Sequence, residues 1–182
     1  MKADNHHDII IIGSGMGGAS TAYALKVSGL NVLVLERGNY IRREDRNWDV
    51  REVFHRKVYQ SGEVWKDKFD QDFQPNQHYC VGGSTKFYGA CLMRLRPRDF
   101  EAVEHHAGIS PAWPIDYPTL EPWYCRAEAM LGVRGESGAD PTEGHRSNPY
   151  PHPAILHDPV ISTLKSKLES SRLHPFPLPS SV

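Results

Sequence analysis

The sequence predicts an α/β fold that begins with a strand–helix–strand unit. Residues 9–12, IIII, form an unbroken β-branched run, which is typical of a strand buried on both faces of a parallel sheet. Glycines at positions 13, 15 and 18 follow, and a second apolar run, at 31–35, ends in Glu36. Strand, glycine turn, helix, strand and acid in this order predict a Rossmann-like FAD/NAD(P)-binding unit.

The glycine turn predicts a site for the phosphates of a dinucleotide. Gly13 permits the tight turn, Gly15 lets the backbone approach a pyrophosphate, and Gly18 allows the helix to pack on the strand. Met16 and Gly17 lie in the helix start, whose free N–H groups and partial positive charge favour an anion. We therefore expect all five residues to contact the cofactor.

The predicted helix carries apolar side chains at helical spacing and stops at Gly29. The second strand runs from Asn31 to Leu35. Glu36 stands at its carboxyl end, where a carboxylate can accept hydrogen bonds from a ribose diol and would repel a 2′-phosphate. Arg37 follows and is included among the expected cofactor contacts. This pattern does not separate FAD from NAD, since both contain an ADP half.

Composition places limits on the class of protein. The chain has 182 residues, enough for one domain with a core, and its net charge of −1 gives no electrostatic footprint for nucleic acid or anionic membrane. The polar start lacks the apolar core of a signal peptide, and the following apolar run is too short to span a bilayer. We expect a soluble, cytoplasmic protein that binds neither nucleic acid nor membrane.

Cysteines and histidines do not predict a metal site. Cys80, Cys91 and Cys125 are too widely spaced for a zinc knuckle or a C-x-x-C pair, and we interpret them as reduced thiols. The adjacent pairs His6-His7 and His105-His106 point in different directions on a helix or strand.

A second glycine-rich segment, YCVGGSTKFYGACLMRLR, covers residues 79–96. Gly82 and Gly83 would let the backbone turn beside a ligand, and Ser84 and Thr85 could cradle phosphate or a flavin edge. The alternative is a helix start capped by Ser84 or Thr85. Lys86 either balances pyrophosphate charge or is solvated.

Weaker patterns describe the remaining segments. Residues 39–78 are predicted to form a surface excursion, with a strand or hairpin near 50–65. A short helix is expected over 98–106 with Phe100 and Val103 facing inward, and residues 135–153 are predicted to be a loop. An amphipathic helix is expected near 160–173, with one apolar face.

The clearest helix after the first unit begins at Asp116, a good N-cap, and ends at Gly132. Its apolar residues recur at three- and four-residue steps, which predicts that they form the core. They are Leu120, Trp123, Tyr124, Ala127, Met130 and Leu131.

No further strand–helix pair follows Leu35, so the predicted sheet is incomplete. We expect a partial Rossmann-like fold, in which a first βαβ unit and a helical and loop excursion belong to a truncated chain. The predicted division is residues 1–134 for the amino-terminal part of a cofactor-binding domain and 135–182 for a linker and the start of the next region.

With both glycine segments considered, the chain resembles the amino-terminal portion of glucose–methanol–choline family oxidoreductases, which are FAD-dependent enzymes that oxidise alcohols. GSGMGGAS, VLVLERG and VGGSTKFYG carry the resemblance, followed by SPAWPI and HPFPLP. It implies that Gly13, Gly15, Gly18 and Glu36 hold the ADP half of FAD. It also implies that residues 82–89, including Tyr88 and Gly89, run beside the pyrophosphate and isoalloxazine.

Two departures from the family pattern affect these expectations. Tyr88 stands where many members carry Asn, so a phenol replaces a polar contact near the flavin. Phe87 occupies the position of the His that binds flavin covalently in some members, so we expect non-covalent FAD. The family's catalytic His lies in a carboxyl-terminal portion, and His78, His105 and His106 do not match its context; the catalytic residues are therefore unknown.

The leading hypothesis is the FAD-binding part of an oxidoreductase that acts on CH–OH groups of alcohols or sugars, with hydride transfer to flavin. Its expected partners are a small alcohol or sugar and the remainder of its own chain, without which it is inactive. Two alternatives stay open: part of an NAD-dependent dehydrogenase, and an inactive truncated nucleotide-binding remnant.

Overall fold

A computed structural model describes residues 6–87 and 91–181 of the chain. The chain forms two compact units, residues 1–88 and 89–182. The predicted domain boundary between residues 134 and 135 lies inside the second unit and stays a prediction. Within the described ranges, no helix combines the length and the apolar character needed to cross a membrane.

The first unit begins with the predicted strand–helix–strand unit. Strand β1 (Ile9–Ile12) pairs in parallel with β2 (Val32–Leu35), so that Ile9 lies opposite Val32 and Ile12 opposite Leu35. Helix α1 (Met16–Leu25) connects them. A parallel strand–helix–strand crossover of this kind is the elementary unit of nucleotide-binding α/β folds.

Strand β1 is not buried on both faces, contrary to the sequence prediction. Ile11 is 9% exposed, whereas Ile10 and Ile12 are 56% and 87% exposed. Among the described residues the sheet has only these two strands, with α1 packed beside them, so side chains that alternate away from the helix find no cover. The expectation of an incomplete sheet is confirmed.

Helix α1 ends at Leu25 and not at Gly29. The Ser28 N–H donates to the Leu25 carbonyl at 2.9 Å, which closes a turn before Gly29 takes a φ of +76°. None of the residues of α1 is buried. Its stability therefore depends on the few contacts that it makes with the two strands.

The excursion after β2 contains a hairpin, but later than predicted. A π-helical turn occupies Arg51–His55, closed by the Arg56 N–H donating to the Arg51 carbonyl at 2.7 Å, so a strand there is wrong. The antiparallel hairpin β3 (Trp65–Lys66) and β4 (Asp72–Phe73) starts at the end of the predicted range. The Asp67 carboxylate fixes its turn by accepting from the Phe69 and Gln71 N–H groups.

The second unit places a hairpin where a helix was predicted over 98–106. A 3₁₀ turn covers Pro97–Phe100, after which β5 (Val103–His105) pairs antiparallel with β6 (Gly108–Ser110). Gly108 has a φ of +136°, a conformation open to glycine that lets the chain reverse directly. Phe100 is buried as predicted, at 4% exposure, and Val103 is half-buried.

Helix α2 (Tyr117–Leu131) begins and ends as predicted. The Asp116 carboxylate accepts from the Thr119 N–H at 3.0 Å, and Gly132 ends the helix with a φ of +62°. Its buried face differs from the prediction in part, although Leu120, Tyr124, Ala127 and Leu131 are half-buried. Trp123 and Met130 are 58% and 40% exposed, whereas Tyr117, Glu121 and Glu128 are buried. Two acids take the inner face because a buried arginine lies against them.

The carboxyl-terminal part contains one short sheet and one helix. Strands β7 (Arg134–Gly135) and β8 (His152–Pro153) pair in parallel at the two ends of the predicted loop. Helix α3 (Pro159–Ser170) confirms the predicted amphipathic helix, with the Asp158 carboxylate capping its first turn. Its apolar residues Ile161 and Leu164 are 42% and 49% exposed.

Candidate nucleotide-binding site

The turn from β1 into α1 requires glycine at two positions. Gly13 has a φ of +93°, and its N–H donates to the Leu35 carbonyl at 2.7 Å, which ties the turn to β2. A Cβ at Gly18 would lie 2.0 Å from the Gly13 carbonyl oxygen, so only glycine lets α1 pack this closely. The fold itself explains these two glycines.

Gly15 is different, because the fold does not require a glycine there. Its φ is −65°, and the nearest atom to a Cβ at this position would be the Gly82 carbonyl oxygen, 4.0 Å away. Gly15 is also the N-cap of α1, and no side chain caps that first turn. The turn thus presents N–H groups without a side-chain acceptor, in the place where anions bind to helices.

Glu36 closes the glycine turn from the end of β2. Its Oε2 accepts from the Ser14 hydroxyl at 2.7 Å and the Ser14 N–H at 2.9 Å, and Oε1 accepts from the Gly38 N–H at 2.9 Å. These bonds, the Ser14 hydroxyl first, lower the pKa of Glu36 to about 2. The carboxylate is therefore ionised at neutral pH and is held against the turn.

Ser14 also joins the two glycine-rich segments. Its hydroxyl oxygen accepts from the Gly82 N–H at 2.9 Å while the hydroxyl donates to Glu36. Asn39 forms a parallel bridge with Cys80, and the Val81 N–H donates to the Asn39 carbonyl at 3.1 Å. Segments 68 residues apart in sequence are thereby placed side by side.

The two segments enclose one cavity of about 460 Å³, a size typical of small-molecule sites. Its walls include Gly13 and Gly15 from the first segment and Gly83 and Ser84 from the second. The end of β2 contributes Glu36 and Arg37, and the approach to the second segment contributes Gln77, His78 and Tyr79.

Six of the predicted cofactor contacts therefore line this cavity, and five other described ones do not. Those that line it are Gly13, Gly15, Glu36, Arg37, Gly83 and Ser84. Those that do not are Met16, Gly17, Gly18, Gly82 and Thr85. Tyr88 and Gly89 lie outside the described residues.

Several residues near the cavity have internal roles. Gly82 donates to Ser14, and the Thr85 hydroxyl donates to the Gly82 carbonyl within the 3₁₀ turn Gly83–Phe87. A Cβ at Gly82 would meet Lys86 Cε at 2.8 Å, so the lysine chain lies across this glycine. Lys86 lines a different cavity, beside Trp48.

Ser14, Gln77, His78 and Tyr79 were not predicted as site residues. The His78 ring stacks on Phe87 at 4.0 Å between centroids, and burial lowers the pKa of its imidazole. Among the described residues, its Nδ1 has no hydrogen-bond partner. The only available sequence signal was position: Ser14 lies between two turn glycines, Gln77 and His78 directly precede the second segment, and Tyr79 is its first residue.

The described residues contain no group of three or more His, Cys, Asp and Glu side chains that could hold a metal ion. All three cysteines are free; Cys80 is buried, Cys91 is exposed and Cys125 is half-buried. The donor set around the cavity, with backbone N–H groups, hydroxyls and one carboxylate, fits a phosphate- and ribose-containing ligand.

Comparison with known proteins also supports a ligand that contains phosphate and ribose. The "FAD dependent oxidoreductase" family matches residues 8–48, which contain β1, α1, β2 and Glu36. The chain is 32% identical over 184 residues to 6‴-hydroxyparomomycin C oxidase of Streptomyces lividus, across 99% of this chain and 32% of that protein. It is also 32% identical over 126 residues to an uncharacterized GMC-type oxidoreductase of Sinorhizobium fredii, across 69% of this chain and 24% of that protein.

Among solved structures, pyridoxine 4-oxidase from Mesorbium loti matches with a TM-score of 0.53 and 18% identity, over 91% of this chain and 32% of that one. This likeness confirms the partial Rossmann-like fold. The chain spans about a third of the length of the first relatives that it matches. The motifs in residues 8–38 and 79–87 and these matches together show that the chain is similar to part of the FAD-dependent oxidoreductases of the glucose–methanol–choline type.

Proposed function

We propose that this chain is the FAD-binding part of an oxidoreductase that acts on the CH–OH groups of alcohols or sugars. The observation that carries the proposal is the single cavity lined by both glycine segments and by Glu36. A dinucleotide needs one place for phosphate and another for ribose, and this cavity offers both within one unit.

The first segment and Glu36 would hold the ADP half. The uncapped first turn of α1, with the N–H groups of Met16 and Gly17, faces the region where a pyrophosphate would lie over Gly13 and Gly15. Glu36 is an ionised acceptor at the strand end, suited to ribose hydroxyls.

The second segment would lie along the rest of the cofactor. Gly83 presents its backbone to the cavity, and Ser84 adds a hydroxyl. The resemblance extends this role to Tyr88 and Gly89. Three further predicted contacts would stabilise the two turns. Gly18 lets the first turn pack closely, and Gly82 hydrogen-bonds with Ser14 and Thr85. Bound FAD would supply two-electron chemistry, as acceptor of a hydride from the alcohol carbon.

Non-covalent attachment of FAD is part of the proposal. Phe87, at the position of the covalent His in some family members, has no nucleophilic atom, and its ring stacks on His78. Denaturation of the flavin-loaded protein should therefore release all of the yellow chromophore from the polypeptide.

The proposed substrate class rests on the similarity to this family and on the activity for which one relative is named. A 32% identical relative is called an oxidase of a hydroxylated paromomycin, which supports a hydroxyl group on a sugar-like molecule as the site of oxidation. The catalytic residues stay unassigned. A cytoplasmic location, the lack of nucleic-acid and membrane partners, and a requirement for the remainder of the chain are predictions from the sequence.

Gly15→Ala tests the proposed cofactor site. The fold leaves room for this methyl group, so we expect the urea unfolding curve to match that of the parent. The methyl group would enter the cavity, so we expect FAD to bind at least about tenfold more weakly than to the parent. Binding is measured by quenching of flavin fluorescence. Gly62→Ala is the matched control, since a Cβ there also meets nothing within 4 Å and lies outside the cavity.

Two results would contradict the proposal. One is a parent chain that takes up no added FAD while binding a nicotinamide dinucleotide, which would favour the NAD-dependent alternative. The other is a Gly15→Ala chain that binds FAD as tightly as the parent, which would remove the ligand from this cavity.

A further inference from the structure

Tyr79 and Glu63 fix the orientation of the Arg37 guanidinium on the wall of the cavity. Its guanidinium carbon lies 3.7 Å from the centre of the Tyr79 ring, a cation–π contact. Its Nη2 donates to Glu63 Oε1 at 2.7 Å, and the Tyr79 hydroxyl donates to Glu63 Oε2 at 2.5 Å. One carboxylate thus ties down both members of the stack.

This cluster stands beside the proposed ribose site. Arg37 directly follows Glu36, and both Arg37 and Tyr79 line the same cavity. The Arg37 side chain is 62% exposed although one face of its guanidinium is covered by Tyr79. A planar cationic surface is therefore open to a ligand next to the acid that would bind a ribose.

Resting on the proposed function, we propose that the open face of the Arg37 guanidinium is the stacking platform for the purine base of the cofactor, with Tyr79 beneath it and Glu63 fixing its plane. Guanidinium groups stack well on flat π-systems, and a base joined to a ribose at Glu36 lies within reach of the next residue. Glu63 and Tyr79 act as positioning residues.

The charges around the platform also define the ligand. Glu63 neutralises Arg37, and Glu36 adds a further negative charge beside it. The platform therefore offers no free cation for a 2′-phosphate. It selects a purine nucleotide with an unmodified ribose, and it favours a purine over a pyrimidine because the larger ring covers more of the guanidinium.

The test compares ADP and UDP, which share the ribose and pyrophosphate and differ in the base. We expect the full chain to bind ADP more tightly than UDP by isothermal calorimetry. In Arg37→Lys the charge stays but the flat surface is lost, so the ratio of the two dissociation constants should fall about fivefold. A general loss of folding weakens the binding of ADP and UDP alike, so it cancels in the ratio of their dissociation constants.

Arg51→Lys is the matched control, since Arg51 is exposed and lies outside the cavity, and its ratio should equal that of the parent. Tyr79→Leu is a second variant that keeps Arg37 and removes the ring beneath it; the ratio should fall here too. A ratio that stays at the parental value in both Arg37→Lys and Tyr79→Leu overturns the platform. A parent chain that binds neither ADP nor FAD overturns the proposed function itself.

Discussion

Both units hold acidic side chains with depressed pKa values, but in opposite environments. In the first unit, Glu36 stands at the rim of an open cavity and its partners are one hydroxyl and backbone N–H groups. In the second unit, the Glu121 side chain is 8% exposed and is paired with Arg94. The pKa is about 2 for both Glu36 and Glu121.

The second-unit acids belong to a buried ion network. Arg94, with a side chain 1% exposed, makes a two-pronged contact with Glu128 at 2.7 and 2.8 Å and reaches Glu121 at 3.3 Å. Arg146 contacts Glu128 and lies 2.7 Å from Glu143. The Ser147 N–H, foremost, keeps the pKa of Glu121 low. Protein groups surround these acids closely.

The comparison teaches that a low carboxylate pKa does not by itself mark a ligand site. Glu36 is ionised and reachable, whereas Glu121 is ionised and enclosed. The first arrangement suits binding and the second holds three segments of the unit together. Exposure to a cavity separates the two.

The largest expected effect comes from opening the enclosed network. Arg94→Met would leave the buried Glu121 without its cation and Glu128 with Arg146 alone, so we expect the free energy of unfolding to fall by about 3–5 kcal/mol. Urea titration followed by tryptophan fluorescence measures it. Arg98→Met is the control, because Arg98 is exposed, and it should change stability little. Equal stability of Arg94→Met and the parent would show that the network contributes nothing.

A smaller effect is expected from Ser14→Ala in the first unit. Loss of the hydroxyl removes the largest cause of the low Glu36 pKa, so that pKa should rise towards 4.5, as measured by carboxyl NMR titration. The affinity for FAD should fall about fivefold, because the hydrogen bond from the Gly82 N–H to Ser14, which joins the two glycine segments, is lost. A fivefold change corresponds to the net free energy of one neutral hydrogen bond. Ser166→Ala, on the exposed side of α3, should change neither quantity. An unchanged Glu36 pKa would show that the Ser14 hydroxyl does not cause its low value.

The smallest effect is on the pH dependence of stability. The pKa of Glu36 is lower in the folded chain than its ordinary 4.5, so its contribution is complete above pH 4.5 and is lost as pH falls through about 2. Glu36→Gln lacks that carboxylate. The stability difference between parent and Glu36→Gln should therefore narrow from pH 5 to pH 2 in urea titrations. A constant stability difference across that range would mean that the hydrogen bonds from Ser14 and Gly38 do not lower the pKa of Glu36 in the folded chain.

Local features of the fold could be predicted, because each depends on a few consecutive residues. The isoleucine run, the glycine turn and the acid after β2 define one supersecondary unit, and Asp116 and Gly132 are self-sufficient helix ends. The cavity required more. The hydrogen bond between Ser14 and Gly82 could not be predicted, because the two residues are 68 positions apart. Arg37 was predicted as a cofactor contact, but the Tyr79 ring beneath it was not.

The error on α2 has a long-range cause, and the error at 103–110 has a local one. Glutamates on α2 suggest a solvated face, and only Arg94, 34 residues before Glu128 in sequence, turns that face inward. In the predicted core of α2, Trp123 is 58% exposed whereas Tyr124 is half-buried. The hairpin at 103–110 replaced a helix because Gly108 supports a reversal that the apolar spacing did not indicate.

The bridge between Asn39 and Cys80 has a consequence for sequence variation. The excursion from 40 to 79 leaves and returns at paired backbone positions, so its two ends are fixed whatever lies between them. Lengthening such a closed segment has only a small entropic cost, growing with the logarithm of its length. Homologous chains can therefore carry excursions of very different size on this base while the distance between the two glycine turns stays constant.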